Sequence, residues 1–177
     1  MRRPAFGFTR GFTRQESMVV LGIFVAVFGI FYLNLIEAKA KARDQQRKSD
    51  VKRVALALDT YFNEYDQYPE ENGGRVVGCG RPKYEGRCEW GIGDFGDEDG
   101  TVYLERVPAD PLFQRSRYVY RVNKELNRYQ VFTALERTGD AEIVSGLTAE
   151  CSVKPNVSLK CNFGVGGGET TMYDDLE

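Results

Sequence analysis

Residues Met18 to Ile36 read MVVLGIFVAVFGIFYLNLI, nineteen positions with no charge and with Asn34 as the one strongly polar side chain. As a helix the run is about 28 Å long, close to the ~30 Å hydrocarbon core of a bilayer. A cleaved secretory signal has a shorter apolar core followed by small residues at its cut site. Here the run continues instead into EAKAKARDQQRK, a polar stretch dominated by good helix formers. A helix buried in a globular core is seldom so uniformly apolar over this length. The segment reads as a retained membrane span within a longer helix, covering residues 12–36.

Nothing between Ile36 and Asn63 breaks that helix, because the interval holds neither Pro nor Gly. From Val51 the apolar positions are Val51, Val54, Ala55, Leu58, Tyr61, Phe62 and Tyr65. They form one helical stripe, with Lys52, Arg53, Asp59, Asn63 and Glu64 opposite. The spacing predicts an amphipathic continuation over residues 37–68 that packs one face on a head domain. Pro69 ends it, since the residue before a proline is pushed out of helical geometry. A continuous helix from Phe12 to Tyr65 is about 80 Å long. Two helices hinged near Lys41 are the alternative, as long helices commonly bend.

The head is expected over residues 69–163. Its first part, Glu70–Gly100, is Gly-rich and reads as loop. Three strand candidates follow: Thr101–Val107, Arg117–Val122 and Tyr129–Leu135. Tyr118, Tyr120 and Val122 share one face, as do Tyr129, Val131, Thr133 and Leu135. Lys124-Glu-Leu-Asn-Arg between the last two strands suits a hairpin loop. The predicted class is α+β, a long N-terminal helix with its stripe on one face of a small antiparallel β-sheet. Residues 164–177, with Gly164–Gly168 and an acidic end at Asp174, Asp175 and Glu177, read as a flexible tail.

Composition narrows the function. The chain has no histidine, the commonest general base and metal ligand near neutral pH, so catalysis is not expected. Lys+Arg 24 against Asp+Glu 26 is too even for a nucleic-acid binder. The cysteines are Cys79, Cys88, Cys151 and Cys161, all downstream of the apolar run. If that run delivers them outside the cytoplasm, they read as two disulfides. Short loops close most easily, which favours Cys79–Cys88 and Cys151–Cys161. A four-thiolate zinc site is the competing use, but such sites pair thiols about two to four residues apart. Basic residues flank both ends of the apolar run. Their count alone puts the C-terminal part inside, whereas the cysteines argue for outside.

The segment GFTRQES, Gly11 to Ser17, resembles the prepilin signal of type IV pilins and type II secretion pseudopilins. In that family a peptidase cuts between Gly and Phe, with Glu fifth in the mature chain. Gly11, Phe12 and Glu16 meet the pattern. The earlier GFTR at Gly7–Arg10 does not, since cutting there makes Phe12 the fifth residue. Lys48 to Pro69 (KSDVKRVALALDTYFNEYDQYP) looks like the family's helix end. Val107 to Phe113 (VPADPLF) looks like the Pro-x-Asp-Pro element of the major pseudopilin, and Arg117 to Glu136 like the hairpin after it. The resemblance implies a pilin-like fold and a cleaved leader over residues 1–11. It also implies N-methylation of Phe12 and a cytoplasmic N-terminus with the head outside. Implied partners are further copies of the chain, other minor pilins or pseudopilins, the prepilin peptidase, an inner-membrane assembly platform, and lipid before assembly. Two departures stand out: Arg14 and Gln15 occupy positions usually apolar, and Tyr32-Leu33-Asn34 stands where many members carry a proline. Arg14 is placed to pair with Glu16 in its own chain.

Other motifs carry less. Asp94, Asp97 and Asp99 lie in an acidic Gly-rich loop whose alternating oxygens suit calcium, although the twelve-residue calcium-loop pattern is absent. Relatives that bind calcium do so after the Asp-Pro element, whereas this loop precedes Asp110-Pro111. No other cofactor is expected. Asn156-Val-Ser158 fits a glycosylation acceptor. The favoured reading is a structural subunit of a pilus-like or secretion filament. The alternative is a permanently anchored, monomeric binding module with an external head.

Overall fold

A stretch without proline makes one helix, α1 (Arg14–Tyr65). The computed structural model describes residues 11, 13–125 and 127–168. By internal packing the chain divides into two units, Met1–Lys39 and Ala40–Glu177. In the first, every side chain from Met18 to Ile36 is exposed. Among the described residues, α1 is the helix long and apolar enough to cross a membrane. The helix is a single element through Lys41, not two.

The helix ends three residues before the expected Tyr68. Asp66 adopts a positive φ of 53°, while its N–H still reaches the Phe62 carbonyl at 2.8 Å. Asp is among the few side chains that visit the left-handed region, where it can cap a helix. Pro69 then keeps the chain from resuming the helix.

The second unit carries two antiparallel sheets. One joins β1 (Val77–Cys79), β2 (Gly86–Arg87), β3 (Phe95–Gly96) and β4 (Val102–Leu104) in the order β2-β1-β3-β4. The other joins β5 (Val119–Asn123), β6 (Arg128–Thr133) and β7 (Phe163–Gly167) in the order β5-β6-β7. The expected α+β architecture is the one found, with the α1 stripe on the sheets. Val51, Val54, Ala55 and Leu58 pack into one core with Tyr118, Tyr120, Tyr129, Val131 and Phe163, together with Val76, Cys79, Cys88 and Phe95. Tyrosine hydroxyls tie the layers together: Tyr129 donates to Asp59 and to the Ala55 carbonyl, and Tyr120 donates to the Pro69 carbonyl.

Three expectations need correction. Glu70–Gly100 is not all loop, since it contributes β1, β2 and β3. Strands of two or three residues leave no alternation to detect. The second sheet is covered on both faces: Val119, Phe132 and Ala134 form a second core with Leu147, Ala149, Cys151 and Cys161. Residues 164–167, read as part of a flexible tail, instead complete β7, paired with β6 from Tyr129↔Gly167 to Thr133↔Phe163. Glycine is needed there because a Cβ on Gly167 would lie 2.3 Å from the Tyr129 ring. Residues 169–177 of that tail lie outside the described residues.

Candidate assembly site and the ion lock of the head

The start of α1 builds the first site. Thr13 is the N-cap: its carbonyl accepts the Ser17 N–H and its hydroxyl oxygen accepts the Glu16 N–H at 3.3 Å. Glu16 returns the contact, accepting the Thr13 N–H at 2.7 Å and the Thr13 hydroxyl at 2.9 Å. Thr-x-x-Glu in this arrangement is a capping box, which satisfies donors left open at a helix start. Glu16 therefore bonds Thr13, and no Arg14–Glu16 ion pair forms among the described residues. Gly11 is exposed just before the cap. Phe12 and the leader positions 1–10 lie outside the described residues.

The second site lies in the head and was not anticipated. Arg47, 1% exposed, donates through Nε and Nη2 to the two oxygens of Asp110, at 2.8 and 3.1 Å. Its Nη1 donates to Asp44 at 2.8 Å and to Glu136 at 2.6 Å. Asp44 also accepts the backbone N–H groups of Glu136 and Arg137, and Asp110 accepts that of Leu112. Arg43 completes the set with two hydrogen bonds to Glu136. The Asp of the Asp-Pro element thus serves as a buried partner for a helix arginine. Burial works against the charge on Arg47, but the hydrogen bonds it donates to Asp110 and Glu136 hold its pKa above the ordinary value. The Arg43 hydrogen bond, opposed by burial and joined by Arg47, pulls the Glu136 carboxyl down to about 2.

The next residue, Lys48, sits between Asp140, at 2.6 Å, and Glu142, with the Phe163 ring 5.6 Å from its ammonium. Burial opposes its charge, yet the two carboxylates raise its pKa. Asp50 accepts the Tyr118 hydroxyl at 2.9 Å and pairs with Arg53. A sequence signal for these charges existed. The stripe of Val51, Val54, Ala55 and Leu58, stepped backward by threes and fours, lands on Asp44, Arg47 and Lys48. The usual rule that charged residues face water hid it.

Both expected disulfides are present, Cys79–Cys88 and Cys151–Cys161, so the thiols are not a zinc set. Of the calcium candidates Asp94, Asp97 and Asp99, the first two are engaged within the head. Asp94 is held by Arg81 and the Tyr84 hydroxyl. Asp97 accepts the Thr101 N–H and the Tyr103 hydroxyl. Asp99 faces solvent. Among the described residues no three His, Cys, Asp or Glu side chains are grouped to hold a metal. Asn156 is exposed at a turn inside the loop closed by Cys151–Cys161.

One long helix, apolar and exposed in its first half, capped at an acidic start and continued into a disulfide-braced α+β head, defines a pilin-like protein. Comparison with known proteins makes the class specific. The chain is 32% identical over 111 residues to the type II secretion system core protein G of Klebsiella michiganensis, spanning 63% of this chain and 71% of that protein. It is 32% identical over 102 residues to the Escherichia coli K12 protein of the same description, covering 66% of it. The Pectobacterium carotovorum protein is 29% identical over 102 residues, with 61% covered. The chain belongs to this family, the type II secretion pseudopilins. No family model and no solved structure matches it.

Proposed function

We propose that this chain is cut after Gly11, methylated on Phe12 and polymerised from the membrane into a type II secretion pseudopilus. The kinship with core protein G supports the subunit role. The observation that carries the assembly step is Glu16, a carboxylate two residues before an apolar span. A charge there is costly unless it is paired. Cleavage creates an ammonium on Phe12 in the same zone. In a staggered bundle, Glu16 of one copy meets the Phe12 amine of a neighbour, exchanging its Thr13 contacts for a charged one. Such a pair sets register between otherwise uniform apolar helices, the best-attested use of a buried polar group.

The remaining steps follow physically. The N-terminus stays cytoplasmic and the head lies outside, where its disulfides persist. Moving from lipid to a helix bundle loses little, because neighbouring helices replace lipid tails as packing partners. Repeated head-to-tail contact grows without closing. The peptidase, the assembly platform and other pseudopilins are the implied partners, and the chain acts without catalysis.

The test is shearing of cells that carry the full secretion machinery. Wild-type chain is expected in the sheared filament fraction, and Glu16→Ala is expected to reduce it about tenfold or more, the scale of one charged contact. Wild-type chain that stays monomeric in detergent and never appears in sheared material would favour the permanently anchored module instead.

A further inference from the structure

Within the head, α1 keeps one face free of packing. Gln45, Ser49, Lys52, Arg53 and Leu56 line a shallow groove of about 410 Å³. Leu56 is 69% exposed although Ala55, Ala57 and Leu58 around it are buried. Arg53 is engaged with Asp50, whereas Lys52 is exposed and has no ion pair among the described residues. A leucine beside a free ammonium on an otherwise polar helix face has no partner within the head.

The same unit carries a complement. A cavity of about 480 Å³ is walled by Tyr61, Tyr65 and Tyr84 and edged by Glu85, Glu98 and Asp99. The Tyr61 and Tyr65 rings stack with centroids 4.6 Å apart. The three edge carboxylates form no ion pair among the described residues. Tyrosine faces attract a cation through their ring quadrupoles and also offer apolar area to an aliphatic side chain.

We propose that the Lys52–Leu56 face of one copy docks in the tyrosine-walled acidic cavity of a second copy. The Lys52 ammonium points at Glu98 and Asp99, and Leu56 rests on the ring wall. The inference rests on the filament reading and deepens it by naming a head contact. The two surfaces differ, so the contact is heterologous and extends from copy to copy. Opposed charges fix which surfaces meet. Lys52 precedes Tyr61 and Tyr65 by nine and thirteen residues on one helix. With parallel helices, the joined copies are therefore offset along the axis by about 14–20 Å. A side-by-side pair with no offset cannot make this contact.

The experiment uses the full chain in cells with the secretion machinery, and two readouts. In the first, Leu56→p-benzoylphenylalanine is photolysed and its adducts are mapped. The expected product is a self-adduct whose attachment falls in residues 61–99 of the second copy. A self-adduct mapping elsewhere, an adduct only to another protein, or none, overturns the inference. The second readout swaps charges: Lys52→Glu alone, and Glu98→Lys with Asp99→Lys, are each expected to lower sheared filament about fivefold. The combined variant is expected to recover to within about twofold, since a true pair couples. Filaments that ignore the swap contradict the contact while leaving the filament reading intact. The mapped self-adduct without sheared filament leaves the contact standing and removes the filament reading.

Discussion

The two stretches of α1 reverse the ordinary placement of side chains in opposite ways. From Met18 to Ile36 the helix exposes Val, Leu, Ile and Phe on every side. Within the head it buries Asp44, Arg47, Lys48 and Asp50. The first stretch is left without packing partners among the described residues of the chain. The second has found its partners inside, through Asp110, Glu136, Asp140 and Tyr118. Buried ion pairs add little net stability over well-packed apolar residues, but they penalise any alternative packing that leaves a charge alone. The head therefore holds one geometry on its own, while the apolar stretch buries none of its residues within the described chain.

Variants can break this contrast. The largest effect belongs to Arg47→Ala, which leaves the Asp110 carboxylate buried without its cation. A loss of about 3–5 kcal/mol is expected, read from urea unfolding of the head, with membrane association unchanged. Equal loss of membrane association would mean that the two stretches are not separable. Next is Cys151→Ser with Cys161→Ser, which frees the loop covering the second sheet. About 2–3 kcal/mol should be lost, the amount set by closing a short loop in the unfolded chain.

The smallest effect is a pH dependence. The folded Glu136 carboxyl is lowered from 4.5 to about 2. Its stabilisation is therefore fully present above about pH 4.5 and is lost as the pH falls through about 2. Allowing for its partial exposure, the change is on the order of 1–2 kcal/mol. Comparing urea midpoints between pH 6 and pH 2 with those of Glu136→Gln isolates it. A variant with the same pH slope as the wild-type chain would remove Glu136 from the account.

The apolar stretch of the helix, the amphipathic stripe and the β5–β6 hairpin could be read from the residues because each shows a continuous or periodic pattern over many positions. Glu16 could be found because its spacing from Gly11 and from the apolar run is local. The ion lock was hidden because it joins Arg47 to residues 63 and 89 positions away. Only the fold brings those together. The first sheet was hidden because its strands are too short to show alternation. β7 is hard to see because glycines look like slack, whereas Gly167 makes room for the Tyr129 ring. In the acidic loop, which showed residue types suited to a metal, Arg81 and Tyr84 hold Asp94 and Tyr103 holds Asp97.

The most direct test is the mass of the N-terminal peptide of the mature chain, isolated from cells that carry the prepilin peptidase. The account predicts a peptide that begins at Phe12 and bears a methyl group on its nitrogen. A chain that keeps Met1, or one cut at any other bond, would contradict it.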